Sequence, residues 1–110
     1  MKVAVIGSRN INIENIGDYL PENVTEIISG GAVGIDTCAK NYAVEHNIKY
    51  TEFLPEYNRY GKSAPLKRNE QIIEYADTVI AFWDGSSKGT LFVIEYAKKR
   101  GKPCSVILFR

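Results

Sequence analysis

The sequence predicts an open, mainly parallel five-stranded β-sheet with α-helices packed on both faces, an α/β fold. Three observations predict it: five short apolar runs, segments of helical spacing between them, and glycine-rich loops that follow three of the runs. The first run, residues 3–6 (VAVI), is the continuous aliphatic stretch that suits a strand buried on both faces. Residues 11–20 are a weaker helical candidate, closed by Pro21. Residues 24–28 are the second strand. Ile35, Ala39, Tyr42, Ala43 and His46 then fall on one helical stripe. Residues 50–54 are the third strand. Pro65 marks a helix start, because proline is tolerated in the first turn, and Leu66, Ile73 and Ala76 form that helix's stripe. Residues 78–83 (TVIAFW) are the fourth strand. Leu91, Ile94, Tyr96 and Ala97 give the last helix, and residues 104–109 close the sheet.

Strands that alternate with helices argue for parallel pairing and right-handed crossovers. In such sheets, ligands bind at the carboxyl ends of the strands, near the point where strand order reverses. The composition agrees with one domain over residues 1–110: hydrophobic residues make 45% and charged residues 25%, which excludes a disordered or collagenous chain. Lysine and arginine minus aspartate and glutamate is 14 − 13 = +1, so no general attraction to nucleic acid or anionic membrane is expected. No apolar run approaches the roughly 18 residues of a membrane span. The amino-terminal stretch reaches a glycine turn too early for a signal peptide, and a cytoplasmic location is expected. Cys38 and Cys104 stand far apart, without a CxxC pair or a neighbouring histidine. They read as buried thiols in a reducing compartment, not as a disulfide or zinc site.

The polar and glycine clusters carry the functional reading. Gly7-Ser8-Arg9-Asn10 follows the first strand, in the loop that usually borders the ligand site of such sheets. Residues 29–36 (SGGAVGID) lead from the second strand into a helix. A helix start leaves backbone N–H groups free, and they and the dipole favour an anion such as phosphate. Gly30 and Gly31 permit close approach, Gly34 packs helix on strand, and Asp36 can accept hydrogen bonds from ribose hydroxyls or backbone amides. Residues 84–90 (DGSSKGT) repeat the strand-to-helix design, with Ser86, Ser87 and Thr90 as hydroxyl donors and Lys88 as a charge. In residues 57–69 (YNRYGKSAPLKRN), Arg59, Lys62, Lys67 and Arg68 interleave with Tyr57 and Tyr60, a mixture able to stack a base and hold a phosphate. Arg68 and Asn69 fall early in the helix, within reach of the crevice. His46, the single histidine, reads as a packing or dipole-compensating residue, and no nucleophile–base pair is present. Trp83 is a secondary ligand candidate at its strand end.

The ordered set GSRN, SGGAVGID, GKSAPLKRN, ADTVIAFWDG and GT resembles the SLOG superfamily, most closely its YspA-like family of small single-domain proteins. SGGAVGID is similar to the SGxAxGID stretch of the DNA-processing protein DprA. The stretch from Arg68 through Asp77 to Gly85 resembles the Lonely Guy phosphoribohydrolases. The resemblance spans nearly the whole chain. It implies a Rossmann-like, three-layer α/β/α fold that binds a nucleotide or nucleotide-derived ligand. It also sets Arg68 on the position of an arginine that Lonely Guy enzymes use in catalysis. Those enzymes carry PGGxGT followed closely by acidic residues. Here the loop is DGSSKGT, and the next acid, Glu95, lies about half a helical turn further on.

The leading expectation is therefore a small nucleotide-ligand-binding protein acting as a sensor or regulatory module, with no required cofactor and no metal. Its ligand-binding residues are expected among Gly7, Ser8, Arg9, Ser29, Gly30, Gly31, Gly34, Asp36, Lys62, Arg68, Asn69, Asp84, Gly85, Ser86, Gly89 and Thr90. The alternative is a hydrolase of an N-glycosidic bond, with Arg68, Glu95 and Asp36 as catalytic candidates. A second alternative is single-stranded nucleic-acid binding through residues 57–69. Relatives in the superfamily commonly pair, and in a homodimer Tyr75, Phe92 and Tyr96 are the expected interface residues.

Overall fold

A computed structural model describes residues 1–31 and 33–109; Ala32, inside the second glycine loop, and Arg110 lie outside the described residues. Five strands form one sheet: β1 (Lys2–Gly7), β2 (Glu26–Ser29), β3 (Lys49–Glu52), β4 (Thr78–Trp83) and β5 (Cys104–Leu108). Their spatial order is β3-β2-β1-β4-β5 and every pairing is parallel, with Val3 opposite Ile27 on one side of β1 and Val5 opposite Ile80 on the other. Strand order thus reverses between β1 and β4.

The helices are α1 (Ile35–Glu45), the short α2 (Tyr57–Tyr60), α3 (Ala64–Tyr75) and α4 (Lys88–Lys99). Alternate side chains of β1 divide between two apolar clusters. Val3 and Val5 join Ile27, Ile35, Ala39 and Phe82 on the α1 face, whereas Ala4 and Ile6 join Ile28, Ile72, Ile73 and Val93 on the face of α3 and α4. This is the three-layer arrangement expected.

Three expectations are corrected. Residues 11–20 form no α-helix, only a 3-10 turn at Ile16–Tyr19. The stretch holds asparagines and Gly17, poor helix formers, and a Cβ on Gly17 would lie 2.5 Å from the Tyr42 hydroxyl oxygen, so the turn yields its space to α1. Strands buried on both faces are found only in the middle of the sheet. β1, β2 and β4 are buried along their lengths, but β3 and β5 are edges with exposed residues. The two cysteines are free and only half-buried; burial raises the pKa of the Cys104 thiol, partly offset by Lys98. His46 ends α1, stacked on Tyr42 with Nδ1 2.9 Å from the Tyr42 carbonyl oxygen, in the packing role expected.

Candidate functional site

The loops after β1 and β4 leave the sheet at the same carboxyl edge, where strand order reverses. Between them opens a cavity of about 470 Å³. That is within the usual range of small-molecule sites, roughly 300–1,000 Å³. Ile6, Gly7, Ser8, Arg9 and Asn10 line one wall, and Asp84, Ser87, Gly89 and Thr90 line another. Gly30 comes from the β2–α1 loop and Asp36 from the first turn of α1, and the start of α3 adds Pro65, Leu66, Arg68 and Asn69.

Arg68 is fixed in place. Its Nη1 donates to the Gly30 carbonyl at 2.8 Å and, more weakly, to that of Phe53 at 3.5 Å, while Nε donates to Asn69 Oδ1 at 2.8 Å. Burial lowers its pKa and the like charge of Arg9 adds to this, whereas Asp36 and the Tyr57 phenol pull the other way. Asp36 is only 7% exposed. A half-buried guanidinium and a buried carboxylate, both lining one cavity, offer fixed donors and acceptors to a polar ligand.

The β2–α1 loop is held by close approach. Gly34 has φ +78°, and a Cβ there would lie 2.5 Å from the Arg9 carbonyl oxygen, so the loops after β1 and β2 touch backbone to backbone. A Cβ on Gly30 would lie 2.6 Å from Arg68 Nη1. α1 begins at this loop without a side-chain cap. Ser29 turns away from the cavity: its Oγ is 2.6 Å from the Tyr50 hydroxyl, which donates to Glu52 at 3.2 Å. Burial, together with Glu52 and Asp36, pushes the Tyr50 phenol up to about 12, against the Ser29 hydrogen bond.

The β4–α4 loop satisfies itself. Asp84 Oδ1 accepts from the backbone N–H of Ser86 at 2.9 Å and of Ser87 at 2.8 Å. Those two bonds hold the Asp84 pKa below the usual carboxylate range. Ser87 caps α4, its Oγ accepting from the Thr90 N–H at 3.5 Å. Ser8 is buried beneath, accepting from the Asp84 N–H at 3.3 Å. Trp83 is tied to the loop, Nε1 donating to the Ser87 carbonyl at 3.0 Å, as a buttress.

Ten predicted residues therefore meet in one cavity: Gly7, Ser8, Arg9, Gly30, Asp36, Arg68, Asn69, Asp84, Gly89 and Thr90. Ser29, Gly31, Gly34, Gly85 and Ser86 do not line it; Ser29 ends β2, Gly31 and Gly34 lie in the β2–α1 loop, and Gly85 and Ser86 lie in the β4–α4 loop. Lys62 is exposed in a 3-10 turn (Gly61–Ser63) outside the lining. Glu95 opens onto a separate groove with Glu70, Lys88 and Tyr96. Ile6, Asn10, Pro65, Leu66 and Ser87 are lining residues that the predicted set lacks. Leu66, on the predicted helical stripe with Ile73 and Ala76, is 43% exposed at the cavity. Asp77, inside the Lonely Guy-like stretch, lies at the opposite edge of the sheet, where its Oδ2 accepts from the Lys2 N–H at 2.8 Å.

Among the described residues no group of three or more histidine, cysteine, aspartate or glutamate side chains is placed to hold a metal ion, and no helix is long and apolar enough to cross a membrane. The family model of DNA recombination-mediator protein A matches residues 1–62, more than half of the chain. No curated protein and no solved structure matches it.

Proposed function

The chain belongs to the DNA recombination-mediator protein A family, and on that premise we propose that it binds a nucleotide or nucleotide-derived small molecule as a sensor or regulatory module. The observation that carries this reading is the cavity at the β1/β4 reversal, walled by glycine loops and fixed Arg68. Because Ser86, Ser87 and Thr90 already donate their amides within their own loop, Arg9, Arg68 and the β2–α1 loop are the partners for phosphate. Asp36 and Asn69 take sugar hydroxyls, and exposed Leu66 with Pro65 gives a base its apolar contact. Closer kinship to YspA-like proteins is part of the same proposal.

A thermal-shift panel of nucleoside monophosphates and diphosphates, cyclic dinucleotides, ADP-ribose and NAD tests it. A ligand at about 100 times its dissociation constant stabilises by about 2.7 kcal/mol, a rise on the order of 10 °C for a domain near this size. Arg9→Ala, at an exposed residue, should keep the melting temperature and weaken the response. No response to any panel member counts against the reading.

Two further readings each have one supporting observation. Arg68 beside Asp36 supports N-glycosidic hydrolysis, tested by release of free base from nucleoside monophosphates and its loss in Asp36→Asn. The family's name, with Arg59, Lys62, Lys67 and Arg68 close in sequence, supports single-stranded DNA binding. It predicts affinity that falls steeply with salt; no binding at low salt removes it.

A further inference from the structure

The two edges of the sheet are built differently. β3 carries Lys49 and Glu52 at its ends, both exposed, and charges on an edge discourage further pairing. β5 reads Cys-Ser-Val-Ile-Leu, with no charge and no proline within it. Val106 and Leu108 are 45% and 49% exposed. Nearby Lys102 is turned away, its Nζ donating to the carbonyls of Ala76 and Glu74 near the end of α3.

The backbone of β5 fixes which groups face outward. In a parallel pair, alternate residues direct both N–H and C=O at the same neighbour. Val79 N–H donates to the Pro103 carbonyl at 2.9 Å, and Phe109 N–H donates to the Trp83 carbonyl at 2.8 Å. The odd-numbered residues therefore bond to β4. Cys104, Val106 and Leu108 point their N–H and C=O groups away from the sheet, and β5 has no strand beyond it among the described residues. The same three side chains share one face of the strand, the one on which Cys104 packs against the α3 and α4 cluster.

We propose that the outer edge of β5 pairs antiparallel with β5 of a second copy about a two-fold axis through Val106. In that register Val106 meets its own counterpart, and Cys104 and Leu108 meet each other twice. Outward residues then pair only with outward residues, so all three N–H and all three C=O groups of each copy are satisfied. The contact sets no like charges together within residues 104–108, and it covers the exposed parts of Val106 and Leu108. Self-complementarity about a central residue is what selects a second copy as the occupant.

Sedimentation of the full chain from low to high concentration, with amide hydrogen exchange followed by NMR, tests this. The expected result is a doubling of mass, with loss of fast exchange at Cys104, Val106 and Leu108 in the dimer. Ser105 and Ile107 should be protected at every concentration, which also reports that β5 is folded. Val106→Asp, which sets two carboxylates together at the axis, should leave a folded monomer. A chain that stays monomeric at the highest concentration overturns the proposal. So does a dimer whose three outward amides still exchange fast, or one that survives Val106→Asp, since either would pair elsewhere, as through Phe92 and Tyr96.

Discussion

The β2–α1 and β4–α4 loops have the same sequence signature, glycines and small polar residues between a strand and a helix, and different N-caps and clamps. In the β4–α4 loop the chain caps itself: Asp84 takes two amides and Ser87 a third. At the β2–α1 loop the N-cap residue is Gly34, which has no side chain to cap with, and two other elements grip the loop: Arg68 on Gly30 and the Arg9 backbone against Gly34. A glycine loop at a helix start is thus not in itself an anion site. Its donors count only where its own side chains leave them free.

The contrast breaks most visibly at Gly34. Gly34→Ala puts a Cβ into the Arg9 carbonyl at a φ that non-glycine residues rarely adopt. The expected loss is about 3 kcal/mol or more, from strain plus overpacking, read as a lowered denaturation midpoint at unchanged m-value. Arg68→Ala removes the charged donor to Gly30 and should cost about 2 kcal/mol, with faster amide exchange in residues 29–34 than in residues 84–90. An equal rise in both loops would show that the clamp is not specific. Ser87→Ala removes the α4 cap and should cost about 1 kcal/mol, its exchange increase confined to the start of α4.

Acid sharpens the comparison on the β2 side. Glu26 is buried in β2; burial raises its pKa, but the hydroxyls of Thr51 at 2.6 Å and Tyr75 at 2.7 Å, with Lys49 and Lys2, outweigh this and leave it below 4.5. The folded value is depressed, so its contribution is fully present above pH 4.5 and is lost as pH falls through the folded value. Glu26→Gln should flatten that limb of a stability–pH profile; an unchanged slope would place the acid sensitivity elsewhere. The smallest effect is expected at Gly89. A Cβ there meets nothing within 4 Å, and Gly89 is a helical residue, so Gly89→Ala should stabilise by about 0.5 kcal/mol. If a ligand approaches that backbone closely, the same methyl group lowers its affinity.

Much of the site was legible because glycine loops after strands converge on one sheet edge, a consequence of parallel topology. The exceptions have physical causes. Leu66 keeps helical spacing with Ile73, but it sits in the first turn of α3, where the helix overhangs the cavity and its side chain reaches no core. Glu95 lies within α4, whose spacing carries it onto another groove. The Ser29 hydroxyl is engaged by Tyr50, 21 residues further along the chain. The Glu26 network needs partners 25 and 49 residues distant. Residues 24–28 did signal a strand, yet nothing local to them discloses that their one carboxylate is buried and paired. Continuous apolar runs distinguish strand from helix, but they do not say which strand becomes an edge.

The sheet that separates the two apolar clusters also compartments damage. Among the described residues no buried one belongs to both. Trimming Ile27 on one face and Ile72 on the other should give losses that nearly add, whereas two trims within one cluster share a void and couple. The interior is two small mosaics back to back, and drift in one can proceed without renegotiating the other.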